Sequence, residues 1–251
     1  VTTPAATVGL AGDSTWSAPV ASVTKLFVAY AALIAWEEGT VGLDDPAGPP
    51  GSTVRHLLAH TAGFGFDTPR LAGSPGERRI YSNVGIEVFG EHLAARSGMA
   101  VGDYLAAAVI EPLGLLGTTF AGSPAHGLTT SVDDLMVFCR ELLTPTLVSP
   151  STLDMAVQEQ FPGVAGVLPG FGHHDPNPWG LGFEIRGEKS PHWTGGANRP
   201  GTVGHFGGSG SFLWVDRELG LAACAISDTA FGPWAAQSWP PASDDILRRF
   251  T

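Results

Sequence analysis

Residues 21–39, ASVTKLFVAYAALIAWEEG, constrain the fold of this chain more than any other stretch. From Leu26 to Trp36 run eleven residues with no charge and no helix breaker. They are apolar on every side, the pattern of a helix buried all round rather than one lying on a surface. Gly39 supplies a stop. Ser22 and Lys25 stand at its start. The chain holds only two lysines, Lys25 and Lys189, against eleven arginines. Lysine is among the residues least often buried, yet this one opens an apolar rod. Burial can drive a lysine to its neutral form, in which it accepts a proton; arginine cannot do this. Residues three apart share a helix face, so Ser22 Oγ and Lys25 Nζ can meet as a nucleophile and its base. The same four residues also allow a plainer arrangement, with Ser22 capping the helix and Lys25 snorkelling outward.

Composition narrows the classes of function. A net charge of −11 excludes nucleic acid as a partner, because phosphate binding needs clustered Lys and Arg. It gives no attraction to anionic lipid either. No apolar run reaches membrane-spanning length, and the run at residues 26–36 is too short and follows a serine rather than a basic flank, so a cytoplasmic location is expected, or a secreted or periplasmic one if a leader was removed before Val1. The chain is long enough for one large domain or two intimate lobes. Cys139 and Cys224 lie in apolar segments and read as buried free thiols. No metal or other cofactor is expected. His173-His174-Asp175 lacks the further histidine of a metallo-hydrolase site.

Along the chain, residues 5–10 suggest a short strand. A loop over 41–51 follows the first helix, and Thr53 caps a short helix over 54–59. Further helices are predicted over 84–96 with Gly98 as stop, over 101–110, from the Ser131 cap to Leu143, and from Ser149-Pro150. From Trp179 the apolar period changes to that of strands, over 181–185, 201–205, 211–215 and 221–226, with a hairpin turn at 217–220. Pro240-Pro241 should break the chain before a short helix over 244–250. Strand material at both ends and helices between predict an α+β fold. In it an antiparallel sheet drawn from both chain ends is flanked by helices, and a mainly helical lobe is inserted. One domain is expected over 1–251, with an α/β lobe at about 1–45 and 176–251 and a helical lobe at about 46–175.

Three groups line up in order: Ser22-Val-Thr-Lys25, Tyr81-Ser-Asn83 and His205-Phe-Gly207. Alone, Tyr81 reads as a core aromatic and Asn83 as a helix cap. Together, and with Leu57-Leu-Ala-His-Thr-Ala-Gly63, Trp179-Gly-Leu-Gly182 and Gly204-His-Phe-Gly-Gly-Ser-Gly210, they are similar to the signatures of serine β-lactamases and penicillin-binding proteins. The resemblance is to the class C type, which also contains D-alanyl carboxypeptidases, D-aminopeptidases and β-lactamase-fold esterases. It implies the β-lactamase/transpeptidase-like fold. It also implies a hydrolase forming an acyl-enzyme on Ser22, with Lys25 and Tyr81 as general base, acting on a β-lactam, ester or D-amino-acyl peptide-like bond. In that reading Asn83 binds the substrate's amide or carbonyl, and the strand carrying His205 and Gly207 flanks it. The oxyanion sits between the N–H groups of Ser22 and Gly208. The partner is then a small-molecule or peptide-like substrate; the oligomeric state is not specified by these motifs.

The chain departs from the family where Lys-Thr-Gly is usual and His205-Phe206-Gly207 stands instead. Lysine charge and threonine hydroxyl both help hold a carboxylate, and Phe206 offers neither. This favours an ester or peptide-like substrate over a β-lactam. The N-terminal edge is short for the family, which predicts a more open site or a missing strand. These departures also leave open an acylatable sensor, or an inactive penicillin-binding-like scaffold, in place of an enzyme. His60, in the family-like segment, is expected to pack and bond the backbone rather than catalyse.

Overall fold

The computed structural model describes residues 1–251. Strand β1 (Ser17–Pro19) leads through a 3-10 turn (Ala21–Val23) into helix α1 (Thr24–Glu37). Every α1 residue from Thr24 to Ala35 is buried, as apolarity on all sides requires. Phe27 stacks on Phe138 with ring centroids 3.9 Å apart, and the Tyr30 hydroxyl donates to Glu141 at 2.5 Å. One contiguous apolar core of 44 residues has α1 running through it, so every element touching α1 is placed relative to Ser22 and Lys25.

The helical part comprises α2 (Val54–Leu58), α3 (Asn83–Ser97), α4 (Val101–Leu105), α5 (Val132–Leu143) and α6 (Pro150–Ala156). The predicted signals act as read: Ser131 accepts from Asp134 N, Ser149 accepts from Thr152 N, and Gly98 closes α3 at φ 71°. Ser82, rather than Asn83, caps α3, which leaves the Asn83 side chain free for other work. The segment over 101–110 does not stay α-helical; it widens to a π-helical turn at Ala106–Ile110.

Short strands β2 (Arg79–Ile80), β3 (Thr119–Phe120), β4 (Leu128–Ser131), β5 (Gly166–Leu168) and β6 (Gly172–His174) form two small sheets, ordered β1-β4-β3 and β2-β5-β6. The main sheet is antiparallel, β10-β9-β8-β7, from β7 (Glu184–Ile185), β8 (Val203–Gly207), β9 (Ser211–Asp216) and β10 (Leu221–Ala225). Its register pairs Val203 with Val215, His205 with Leu213, and Ala222 with Val215. Because β7 is short and pairs only as far as Gly204, the stretch from His205 to Gly207 is left open on that side. The architecture is the expected α+β fold with an antiparallel sheet.

Two further expectations fail. Residues 5–10 form no strand; the N-terminal segment reaches the sheet only through a bridge between Thr2 and Ala222. The final helix is not short. Helix α7 (Pro233–Phe250) runs straight through Pro240 and Pro241. Buried Ala235, Trp239, Ser243 and Leu247 recur every four residues, and this packing outweighs the backbone bonds the prolines remove. Trp239 joins a second, aromatic cluster that includes Tyr81, Trp179, Trp193, Phe206, Phe212 and Trp214. No single helix is long and apolar enough to cross a membrane.

Candidate active site

The turn bearing Ser22 is tightly held. Ala21 has φ 45°, a left-handed conformation that costs a residue with a Cβ about 1 kcal/mol or more. Strand β8 fixes the turn from the side: a Cβ on Gly207 would collide with Val20 O, and Ser211 Oγ donates to that same carbonyl at 2.8 Å. Glycine at 207 is thus needed for β8 to lie against the chain two residues before Ser22.

Lys25 is fully buried one turn on. Its Nζ lies 3.1 Å from Ser22 Oγ, 2.7 Å from Asn83 Oδ1 and 2.8 Å from Ala125 O. Burial pushes its pKa down to about 7, against the opposing pull of Asp67 and Glu87. The neighbours suit a neutral amine. Two are acceptors only, and the two N–H groups of an amine satisfy both. The lone pair is then left for the third neighbour, a hydroxyl that can donate. The orientation of the Asn83 amide is set from outside, because its Nδ2 donates to Asp67 Oδ1 at 2.6 Å.

Tyr81 follows directly after β2. Buried Arg79 anchors that strand by donating to Asn177 O at 2.7 Å, to Gln160 O at 2.9 Å and to Ala59 O. The Tyr81 ring lies 4.9 Å from Lys25 Nζ, and its buried hydroxyl has no hydrogen-bond partner at rest. Burial raises its pKa above the ordinary phenol value, although contact with Ser22 opposes this. Expected as part of the general base, Tyr81 instead keeps its proton and is suited to relay it.

Two histidines flank the ring, His60 at 4.6 Å and His205 at 5.5 Å between centroids. Each tautomer is set by the backbone. His60 Nδ1 accepts from Ser82 N, so its Nε2 carries the hydrogen. His205 Nδ1 lies 2.6 Å from Phe206 O and must donate to it, so its Nε2 bears a lone pair. Burial drives both pKa values down, that of His205 to about 3, and neighbouring Lys25 adds to the effect. The bond that His60 makes to the backbone is the one expected of it.

Ser22, Tyr81, His205 and Gly208 line one cavity of about 290 Å³, together with Phe66, Trp179 and Phe206. A Cβ built on Gly208 meets nothing within 4 Å, so the backbone there faces open space. Ser22, Lys25, Tyr81, Asn83, His205, Gly207 and Gly208 are thus gathered around one point. Lys25 lies behind the cavity wall, Asn83 beside Lys25 and Gly207 against the Ser22 turn. Sequence reasoning missed Asp67, which orients Asn83, and the wall residues Phe66, Leu168 and Phe231. It also missed Glu184, buried on the wall with Lys189, His192 and Trp193 bonded to it. Burial opposes ionisation of Glu184, but the charges of Lys189 and His192 prevail and hold its pKa well below the usual range. The pairing of an acid and a lysine five residues apart was the one available signal for that cluster.

Comparison with known proteins agrees with the fold. A β-lactamase of Mycobacterium bovis superposes with a TM-score of 0.98 at 50% identity, covering 99% of this chain and 93% of that one. A simvastatin synthase variant from Aspergillus terreus superposes at 0.76 with 18% identity, over 95% of this chain and 84% of that one, a likeness of fold. Among curated proteins, the D-alanyl-D-alanine-carboxypeptidase/endopeptidase AmpH of Escherichia coli is 22% identical over 77% of this chain. The chain spans 65% of that relative's length. The Beta-lactamase family profile matches residues 17–248, and the chain belongs to that family of hydrolases.

Proposed function

We propose that the chain is a serine hydrolase that acts through an acyl-enzyme on Ser22, opening an ester, a β-lactam or a D-amino-acyl peptide-like bond. The observation that carries this reading is the set of neighbours around Lys25: two acceptor-only oxygens and one hydroxyl, about a buried amine whose pKa is about 7. Lys25 takes the Ser22 proton as Oγ attacks the carbonyl carbon. The negative oxygen forms between the N–H groups of Ser22 and Gly208. Tyr81, holding its proton, passes it to the leaving group and regains one from Lys25. Water then enters, loses a proton along the same path and releases the acid. Asn83 keeps one N–H beyond its bond to Asp67, available to a substrate carbonyl.

The test is acylation itself. A fluorophosphonate probe should add once, at Ser22, by intact mass. Ser22→Ala should abolish both labelling and release of nitrophenolate from a short-chain aryl ester. Lys25→Arg keeps the charge but not proton acceptance, and acylation should fall by about 10²–10⁴-fold with the fold retained by circular dichroism. A Lys25→Arg protein acylated at the native rate would remove Lys25 as the base.

A further inference from the structure

The cavity over Ser22 has a chemical character of its own. Its walls are Phe66, Leu168, Trp179, Phe206 and Phe231, and no lysine or arginine is among its lining residues. Phe206 and Phe231 pack with centroids 4.9 Å apart, closing one side with two aromatic faces. The ionised group on the wall is Glu184, both of whose carboxylate oxygens are already bonded, one by Lys189 and His192 and the other by Trp193. His205, at the position where the related enzymes carry the lysine of Lys-Thr-Gly, is buried and turns a lone pair, not a proton, away from its own backbone. The amine of Lys25 is taken up by Ser22, Asn83 and Ala125. Arg78 lines an adjoining groove across Phe66, Tyr81 and Pro169, where its guanidinium bonds Ala72 O.

We propose that the group of the substrate filling this cavity is an uncharged, apolar acyl chain, and that substrates placing a carboxylate there are rejected. The inference rests on Ser22 being the acylated residue. Its cause is desolvation. A carboxylate entering an aromatic cavity loses its water and meets no lysine or arginine on the wall, only a carboxylate already paired with Lys189 and an imidazole lone pair, while the nearest amine, Lys25, is engaged by Ser22, Asn83 and Ala125. A methyl-terminated chain of the same length loses nothing and gains by leaving water.

Three aryl esters with one leaving group separate charge from length. They are para-nitrophenyl hexanoate, the mono-para-nitrophenyl ester of adipic acid, and the same adipate capped as its methyl ester. Nitrophenolate release, including a single burst, reads acylation even where deacylation is slow. The expected kcat/KM for the free adipate is lower than for the hexanoate by about 100-fold or more, with the methyl-capped adipate within about tenfold of the hexanoate. Phe231 is half-buried, so Phe231→Arg can bring a cation to the wall, and it should raise the rate for the free adipate by about tenfold or more. A free adipate acylating Ser22 within about threefold of the hexanoate overturns the inference while leaving the nucleophile in place. A methyl-capped adipate as poor as the free acid also overturns it, because length rather than charge is then the discriminator. Equal release by wild type and Ser22→Ala overturns the nucleophile, and with it the acyl cavity.

Discussion

At the scale of single residues, Lys25 decides what the site can do, and its charge state depends on groups that the motif does not contain. Its neighbours with charge or titratable protons are Asp67, Glu87, His60, His205 and Tyr81, which keeps its proton. Burial keeps both histidines neutral, so the acids are the counterweight to desolvation. Acylation should therefore rise with pH through an apparent pKa of about 7, as Lys25 sheds its proton. Asp67→Asn removes an anion that favours the protonated amine, so this limb should move to lower pH. The plateau should also fall, because Asn83 loses the partner that orients it. A limb that stays put or moves up would mean that another group is titrating. Ser22 and Lys25 were legible because a three-residue spacing fixes which side chains share a turn. Asp67, Glu184 and Phe231 were not. They meet the site across the fold from loops and strands, where spacing along the chain carries no distance information. The strained φ of Ala21 was equally silent, since alanine carries no preference for that conformation.

Among the elements, β8 is the one whose details the site uses most, and the glycine that ends it and the glycine just beyond have opposite jobs. Gly207 lets the strand touch Val20, whereas Gly208 opens onto the cavity. Gly207→Ala should destabilise the fold by about 1–3 kcal/mol, because backbone or the Ser22 turn must shift to admit the methyl group. Gly208→Ala should leave stability within about 0.5 kcal/mol yet slow acylation, since the added carbon enters space the substrate needs. Urea unfolding and nitrophenolate release measured on both variants separate the roles; a Gly208→Ala protein with native acylation would place the oxyanion elsewhere. Element boundaries read well from sequence where a side chain makes the cap itself, as at Ser131 and Ser149. They read badly at α7. Proline's local cost of about 3 kcal/mol is visible in the sequence, but the burial of Trp239 and Leu247 that overrides it depends on the sheet beneath. Residues 5–10 failed for the complementary reason: their apolar pattern suits a strand, but only Thr2 finds a sheet edge to pair with.

For the whole molecule, the same burial that tunes the site makes the fold sensitive to acid. His60 and His205 are neutral in the folded protein, with pKa values driven below that of a free imidazole, and both regain an ordinary pKa on unfolding. Well above about pH 6.5 neither state binds those protons and they contribute no pH dependence. Below it the unfolded chain takes up protons that the folded one refuses, so stability falls as pH falls, until the folded pKa, about 3 for His205, is reached. The two fully buried imidazoles together should lower stability between pH 7 and pH 5.5. Lys25 extends the trend upward. Its folded pKa of about 7 lies below its unfolded value, so from pH 7 towards 10 the unfolded chain again holds the extra proton and stability continues to rise. Glu184 acts in the same direction at the acid end, where protonation removes what Lys189 and His192 gain from its charge. The expected curve of unfolding free energy, from urea titrations at intervals between pH 5 and pH 9, therefore climbs throughout. His205→Gln, which removes one buried imidazole without adding a charge, should reduce the slope between pH 7 and pH 5.5, the rest being kept by His60 and by His56 and His174, whose pKa values burial also lowers. A flat curve there, or one that rises on acidification, would mean that these rings are protonated in the folded state. The cavity would then present cations beside Tyr81, and its rejection of carboxylates would have to be explained some other way.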